Sequence, residues 1–285
     1  MHQVYGTFVG RWYVTLFGIT FAVAAVRQLG WRRTVTYAVA ATIVGVIAEN
    51  GSVRYGIPYT RYAFNPSLRG DEVWVGDVPL MVSLSYTFMG YFAFATARLV
   101  ASGPRRTRGH SPVLEYVVAV VLSTWALWVV DPISRLGEHF FLGRLFAYDG
   151  PGFWFGLPLG SQLGFAGTSA VLVGMLTWLG RDEPDEPVAS AMAHPRMIAV
   201  GGFLGQVVFM AGTAFVVART NSDPRVVATA DTLAGAAVII FLPLVLVVAL
   251  QWRQLTAAPA AVVAAQPAPR VDLRPASEPA GTIPT

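Results

Sequence analysis

Hydrophobic residues along the chain gather into seven long runs, separated by shorter polar stretches. A membrane-spanning helix needs about 20 mostly apolar residues. By this criterion the sequence predicts helices near 8–28, 34–54, 78–100, 113–133, 158–180, 196–218 and 226–252. We therefore expect an all-α fold, a polytopic integral membrane helix bundle of about seven transmembrane helices, in one membrane-embedded helical domain over residues 1–255.

Two of these runs end unusually. The second becomes polar over residues 49–54, which marks Gly51 as a candidate break point in the helix. After Trp252 the chain is rich in Ala and Pro and has few large apolar groups. Such a segment buries too little apolar surface to offset the entropy of ordering. We expect residues 256–285 to form a disordered cytoplasmic tail.

The composition supports a membrane setting. Hydrophobic residues make up 54% of the chain and charged residues only 13%, whereas soluble domains carry roughly 25% charged residues. The 20 basic residues are all Arg, and cysteine is absent. The net charge of +4 is therefore that of an arginine-rich membrane protein, not of a nucleic-acid binder. Disulfides and thiolate chemistry are excluded.

The arginines are distributed unevenly between the two sets of loops. Cytoplasmic loops of membrane proteins carry an excess of Lys and Arg. We therefore expect a multi-pass protein of the cytoplasmic membrane with its N-terminus outside and its C-terminus in the cytoplasm. The loops assigned to the cytoplasm contain Arg27, Arg32, Arg33, Arg98, Arg105, Arg106, Arg108, Arg181, Arg196, Arg253, Arg270 and Arg274.

Three carboxylates, Glu49, Asp131 and Asp231, interrupt or adjoin the apolar runs. Ionisable groups are costly in hydrocarbon, so their presence indicates function. The predicted topology brings all three toward the outer membrane face. Two long loops on that face, 55–77 and 134–157, are rich in aromatic residues and glycine. We expect these loops to roof an apolar cavity beside the acids, although aromatic residues also form belts at membrane interfaces.

A carboxylic acid in such a cavity can protonate an alkene, and aromatic faces can stabilise the resulting cation. Capture of the cation by water makes the protein a hydratase, and capture by an internal double bond makes it a cyclase. Neither reaction requires a cofactor or a metal ion, and we expect none. The four histidines are too scattered along the sequence to predict a zinc or di-iron site.

Two segments resemble the carotenoid 1,2-hydratases, of the bisanhydrobacterioruberin and gamma-carotene hydratase type. The first is ENGSVRYGIPYTRYAFNP, residues 49–66, followed by GDVPL at 76–80. The second is Asp131–Pro132, then Tyr148, then PGFWFGLP at 151–158. The resemblance implies a multi-spanning enzyme that adds water to a terminal double bond of a long isoprenoid, leaving a tertiary alcohol.

Within this resemblance Glu49 and Asp131 are the expected catalytic acids. Each also has a structural alternative, since Glu49 could pair with Arg54 and Asp131 could bind backbone amides freed by Pro132. Asp231 lies outside both segments and could instead pair with Arg225. The expected substrate-binding residues are Tyr59, Tyr62, Phe64, Tyr148, Trp154, Phe155 and Gln162, and the accessory candidates are Asp231, His139, Arg61 and Arg144.

The chain also departs from the family pattern. Residues 161–165 read SQLGF where the family typically has an Asn–Phe–x–Gly–Trp run, and the first loop carries an additional charged stretch at 69–72. The exact substrate stays open, and a membrane cyclase of terpenoids or polyenes is compatible with the same residues. The expected partners are a long apolar isoprenoid in the bilayer, water, membrane lipids and other enzymes of an isoprenoid pathway.

Two functions of other classes fit the helix count. A membrane transporter is compatible with intramembrane acids, and a non-catalytic scaffold is compatible with glycine-rich helix faces such as Gly201–Gly202. A retinal-binding light pump is excluded, because all basic residues are Arg and a Schiff base requires a lysine.

Overall fold

The computed structural model describes residues 2–102, 111–136, 145–181 and 195–256. Seven helices in these ranges are long and apolar enough to cross a membrane, so the all-α polytopic bundle expected from the sequence is confirmed. The chain begins with a short helix, α1 His2–Tyr5, and a π-helix at Gly6–Gly10. The long helices that follow are α2 Trp12–Leu29, α3 Trp31–Tyr55, α4 Leu80–Ser102, α5 Pro112–Ile133, α6 Leu159–Leu179, α7 Pro195–Thr220 and α8 Pro224–Thr256.

The strands in the described residues form two small antiparallel pairs in the loops. The first pair joins β1, Tyr62–Phe64, to β4, Phe146–Tyr148. The second is a tight hairpin of β2, Trp74–Val75, and β3, Val78–Pro79. A 3₁₀ turn at Pro66–Gly70 lies between β1 and β2. The two long loops predicted to share one face are thus joined by backbone pairing.

The second long helix does not break at Gly51, so that expectation is wrong. The helix α3 runs without interruption to Tyr55, and Gly56 ends it in the left-handed conformation at a φ of 74°. Polar residues of its last turns find partners without leaving the helix. Asn50, for example, donates to the Val75 carbonyl at 3.1 Å and accepts from the Asp77 N–H at 2.9 Å, which fastens the β2–β3 hairpin to α3.

Helix α4 lies at the centre of the bundle. Its most apolar stretch is 78% buried, against 28% for the corresponding stretches of α2 and α8. Small residues let neighbouring helices approach it closely. Gly202 of α7 packs directly on the Phe92 ring, where an added Cβ would lie 2.6 Å from the ring. The outer helices turn apolar side chains such as Leu16 and Ile43 outward, as expected for surfaces in contact with lipid.

A buried ion pair closes the end of the bundle where α4 finishes and α5 begins. Arg98 Nε lies 3.4 Å from Glu115 Oε2, and both side chains are almost fully buried. The same guanidinium donates to the Gly180 carbonyl at 3.2 Å and lies 4.3 Å from the centre of the Phe94 ring. This arrangement joins α4, α5 and the end of α6, and it lies at the opposite end of α4 from the predicted acids.

The expected disorder of the tail concerns residues outside the described ranges, apart from Thr256. The single-domain boundary and the orientation of the termini in the membrane both stay predictions.

Candidate functional site

One cavity of about 130 Å³ lies inside the bundle, at the end where α3 and α5 finish and α4 and α6 begin. Apolar cavities of about 150 Å³ admit a molecule of the size of benzene, so this one can accept the end of a hydrocarbon chain. Glu49 and Asp131, the two carboxylates predicted to be catalytic, both line it. The rest of its wall is mostly aromatic and aliphatic, including Phe17, Tyr59, Tyr62, Phe64, Met81, Tyr86, Phe88, Met89, Leu127, Val130, Phe146, Tyr148, Phe165 and Met210.

The carboxylate of Glu49 is held by two phenols. Tyr62 donates a hydrogen bond to Oε2, and Tyr86 donates one of 2.5 Å to Oε1. Only 7% of the residue is exposed. Burial, followed by the charge of Glu49, raises the pKa of Tyr62 well above its ordinary value of 10.0, so this phenol stays protonated and remains a donor at every physiological pH. Both oxygens of Glu49 therefore have fixed partners.

A chain of hydroxyl groups continues from this carboxylate. The hydroxyls of Tyr86 and Tyr59 lie 2.7 Å apart, and Tyr59 donates to Thr168 Oγ1 at 3.1 Å. The three helices α3, α4 and α6 are thus connected through side-chain oxygens. Hydrogen bonds in such a chain polarise one another and fix their members in place.

The position of Tyr59 depends on a close approach between its loop and α6. Gly164 packs against this loop, and a Cβ built there would lie 2.1 Å from the Pro58 carbonyl oxygen and 3.0 Å from the Tyr59 ring. Only glycine allows this approach without displacing the backbone. Gly164 of α6 thus contributes to the site because it has no side chain and leaves room for the loop that carries Tyr59.

The strand pair β1–β4 covers the cavity with aromatic rings. Tyr62 and Tyr148 are direct partners in the register, and their ring centres are 5.4 Å apart. Phe64 and Phe146 lie next to them, each 5.4 to 5.5 Å from the Tyr62 ring. Tyr148 also shares a hydrogen bond of 2.6 Å with Ser161 at the start of α6. The loops 55–77 and 134–157 therefore meet over the carboxylates, as the sequence predicted.

Asp131 differs from Glu49 in having no hydrogen-bond partner among the residues that the structure describes. It lies in the last turn of α5, and the helix continues through Pro132 to Ile133. Arg135 follows one turn later, donates to the Gly156 carbonyl and lies 5.2 Å from the centre of the Tyr148 ring. Asp131 is close enough to interact electrostatically with both Glu49 and Arg135. Its carboxyl is thus free to meet a ligand in the cavity.

A second polar group on the cavity wall is an ion pair that joins the start of α2 to the first loop. Arg11 Nε donates to Glu72 Oε1 at 2.8 Å, and Arg11 Nη2 lies 2.6 Å from the same oxygen. Both side chains are more than nine-tenths buried. Glu72 belongs to the charged stretch at residues 69–72, in which this chain departs from the family pattern. Arg11 therefore holds a residue of that stretch in place.

The predicted substrate-binding residues are divided by the structure. Tyr59, Tyr62, Phe64 and Tyr148 line the cavity. Trp154 lies outside its wall, where it donates to the Trp128 carbonyl at 2.9 Å. Two further residues also lie outside it, Phe155 on the Trp154 ring at 4.7 Å and Gln162 buried in α6.

The two accessory candidates that the structure describes, Arg61 and Asp231, do not line the cavity. Arg61 is exposed, with its Nε 3.8 Å from Asp149. Asp231 is exposed on α8 and forms an ion pair of 3.1 Å with Arg219, not with Arg225. His139 and Arg144 lie outside the described residues. Among the described residues, no group of three His, Cys, Asp or Glu side chains is placed to hold a metal ion.

Sequence reasoning missed several polar residues of the wall, among them Arg11, Tyr86 and Gln206. Tyr86 and Gln206 lie in the middle of apolar runs, and Arg11 lies near the start of the first run, directly before α2. The available signal was the same for all three: a hydrogen-bonding side chain within or beside a membrane span, which is costly unless it finds a partner.

Comparison with known families identifies a match. The model of a family described as carotenoid biosynthesis protein matches residues 9–233. This range covers α2 to α7 and the first turns of α8, and contains both carboxylates of the cavity. No curated protein and no solved structure matches the chain.

Proposed function

The chain belongs to the family of carotenoid biosynthesis proteins, and from this premise we propose that it is a membrane-embedded hydratase. In this proposal it adds water to a terminal carbon–carbon double bond of an acyclic carotenoid or related isoprenoid. The observation that carries the proposal is that Glu49 and Asp131 face one mostly apolar cavity, which is large enough for a chain end.

The two carboxyls have different surroundings, and these favour different roles. Two phenols donate to Glu49 and favour its ionised form, and only the ionised carboxylate has room to accept a proton from water. Asp131 has no donor of this kind among the described residues, so the apolar cavity favours its neutral form, which holds a proton available for the alkene. We assign Asp131 as the general acid and Glu49 as the general base.

The proposed reaction has two steps. The π electrons of the terminal alkene take the proton of Asp131, which forms a C–H bond and leaves a tertiary carbocation. The oxygen of a water molecule then bonds to the cationic carbon while Glu49 takes one of its protons. The sum is alkene plus water giving a tertiary alcohol, and transfer of the proton from Glu49 back to Asp131 restores the enzyme.

The aromatic rings above the carboxyls would stabilise the cation through their negative faces. In this cover Tyr62, which donates to Glu49, lies against Tyr148. A cyclase would use the same acid and rings, but would have to exclude water. Here Ser161 and Tyr148 place hydroxyl oxygens on the cavity wall, which offer hydrogen bonds to a water molecule and favour hydration.

A pair of conservative substitutions tests the proposal. In membranes supplied with an acyclic carotenoid, Asp131→Asn and Glu49→Gln should each lower hydration by at least about 100-fold, the scale of general acid–base catalysis. Asp231→Asn is the matched control, because it makes the same change at an exposed carboxyl paired with Arg219.

The same two variants also distinguish the proposed enzyme from a scaffold and from a transporter. A scaffold would keep the pathway product in both variants, and a transporter would lose uptake of a solute into vesicles without loss of an enzymatic product. Full hydration by correctly folded Asp131→Asn and Glu49→Gln proteins would overturn the proposed chemistry.

A further inference from the structure

The chain of hydroxyl groups beside Glu49 ends at Thr168 of α6, behind the wall of the cavity. Thr168 is only 7% exposed and is not among the residues that line the cavity. Its hydroxyl donates to the Gly164 carbonyl at 3.1 Å, and this carbonyl also accepts the N–H of Thr168 within the helix. A carbonyl oxygen accepts hydrogen bonds and never donates one, so Thr168 must be the donor in this last contact.

Among the described residues, five contacts between oxygen atoms form this chain. In order they join Tyr62 to Glu49, Glu49 to Tyr86, Tyr86 to Tyr59, Tyr59 to Thr168, and Thr168 to the Gly164 carbonyl. Each hydrogen bond needs one proton, and the four hydroxyl groups supply four of them. One contact therefore lacks a proton when Glu49 is ionised, whereas all five are hydrogen bonds when Glu49 itself carries a proton.

The protonation of Glu49 also determines the direction of these hydrogen bonds. Beside ionised Glu49, Tyr86 donates to the carboxylate and Tyr59 donates to Tyr86. The single proton of Thr168 then serves either Tyr59 or the Gly164 carbonyl, but not both. Beside neutral Glu49 with its proton on Oε1, Glu49 donates to Tyr86, Tyr86 to Tyr59, and Tyr59 to Thr168. A hydroxyl can turn its proton while its oxygen stays in place, so the same oxygen positions fit both arrangements.

We propose that Thr168 is a positioning residue, which acts through Tyr59 and Tyr86 to stabilise Glu49 once this carboxylate has taken a proton from water. The inference rests on the proposed function for the role of Glu49 as the base. In that step the water oxygen bonds to the cationic carbon, one water O–H bond breaks, and its proton forms an O–H bond on Glu49. Cation and carboxylate are both neutralised.

The fifth hydrogen bond of the chain forms only after this transfer, when the new O–H group of Glu49 turns toward Tyr86. An interaction that is stronger after a step than before it favours that step, whereas one that is equal in both states does not. The hydroxyl of Thr168 is needed for this gain, because it is the group that accepts the proton of Tyr59.

The test measures the ratio of neutral to ionised Glu49 by infrared spectroscopy of the protein in lipid nanodiscs, and it needs no turnover. Every sample carries Asp131→Asn, which removes the second carboxyl of the cavity. The band of neutral Glu49 is the carboxylic C=O band that disappears in Glu49→Gln. Within the described part of the chain, the titratable groups that face Glu49 are the phenols of Tyr59, Tyr62, Tyr86 and Tyr148 and the carboxyl of Asp131.

The pH is set where Asp131→Asn protein contains equal amounts of neutral and ionised Glu49. Thr168→Val keeps the shape of the side chain but leaves the proton of Tyr59 without an acceptor beside neutral Glu49. The ratio of neutral to ionised Glu49 should fall about threefold to tenfold, the scale of one hydrogen bond. Thr168→Ser keeps the hydroxyl and should restore the ratio. If Thr168→Val does not fold, Tyr59→Phe interrupts the chain one contact earlier and should lower the ratio in the same way.

Thr177→Val is the matched control. It removes the same hydroxyl from the same helix, where that group donates to the Val173 carbonyl at 2.8 Å and takes no part in the chain. The ratio of neutral to ionised Glu49 should be unchanged in this variant.

Three results would overturn the role of Thr168. The first is an unchanged ratio in Thr168→Val, and the second is an equal fall in Thr177→Val. The third is a fall that Thr168→Ser does not restore, which would show that the methyl group and not the hydroxyl matters. If hydration is never observed but the ratio responds as expected, the chain stands and the proposed reaction fails. If hydration is observed and the ratio does not respond, the reaction stands and the role of Thr168 fails.

Discussion

Tyr86 of α4 donates a hydrogen bond of 2.5 Å to Oε1 of Glu49 on α3. The position of this carboxylate is therefore fixed from a neighbouring helix as well as from its own. Because α4 packs at the centre of the bundle, Glu49 is tied to the most buried part of the molecule.

Removal of this hydrogen bond should lower catalysis without unfolding the protein. Tyr86→Phe deletes only the hydroxyl, and a hydrogen bond to a charged group contributes about 1.5–3 kcal/mol. We expect the rate of hydration to fall about 10- to 100-fold. The measurement is the initial rate in membranes, with thermal unfolding in detergent as a check on folding.

Tyr91→Phe is the control for that substitution. It makes the same change on the same helix, where the hydroxyl donates to Gln28 Oε1 at 2.7 Å and does not line the cavity. A loss of rate in Tyr91→Phe as large as that in Tyr86→Phe would show that the effect is general and does not act through Glu49.

The contact between Gly164 and the Pro58–Tyr59 loop gives a second prediction. Gly164→Ala would place a methyl group against backbone at 2.1 Å, so the loop must move and carry Tyr59 away from Tyr86. A displacement of about 1 Å at a catalytic site can cost about 100-fold in rate, and we expect a loss of that order in kcat/KM.

Gly167→Ala, one turn further along α6, serves as the comparison. Nothing lies within 4 Å of the position of its added Cβ, so it should leave the rate unchanged and stabilise the helix by about 0.5–1 kcal/mol. Equal rates for Gly164→Ala and the unchanged protein would contradict the positioning role of this loop.

The β2–β3 hairpin should make stability depend on pH through Asp77. Hydrogen bonds from Arg54 and then Arg69 lower the pKa of Asp77 from its ordinary value of 3.8. A carboxyl with a lower pKa in the folded protein stabilises the fold above the pKa of the unfolded chain, and this contribution is lost as the pH falls through the folded pKa.

Thermal unfolding should therefore show a higher midpoint for the unchanged protein than for Asp77→Asn near neutral pH. The difference should close as the pH falls below about 4, and high salt should reduce it because these charges are partly exposed. Asp71→Asn, at an exposed carboxyl of the same loop, is expected to change little. A difference that persists at low pH would show that the ion pairs are not its source.

The seven long helices could be predicted because each depends on a local property, a run of apolar residues long enough to cross a bilayer. The placement of Glu49 and Asp131 on one cavity followed from the alternation of helix direction. The partners of these residues could not be predicted. Tyr86 reaches Glu49 only through the packing of α3 on α4, and Glu72 finds Arg11 across 61 residues of sequence.

The wrong expectation at Gly51 has a related cause. A run of polar residues near a helix end predicts a break if the side chains face hydrocarbon, but here Asn50 is satisfied by the β2–β3 hairpin. Trp154 illustrates the opposite error, because an aromatic residue within a matching motif was expected on the cavity and instead bonds to the Trp128 carbonyl.

The origin of the oxygen atom in the product tests the central claim most directly. Membranes containing the protein and an acyclic carotenoid are incubated in water enriched in heavy oxygen, under ordinary molecular oxygen, and the product is analysed by mass spectrometry. Acid-catalysed hydration predicts one labelled hydroxyl for each modified chain end, and no such product with Asp131→Asn. A hydroxyl that carries no label, with its oxygen taken instead from molecular oxygen, would contradict the account.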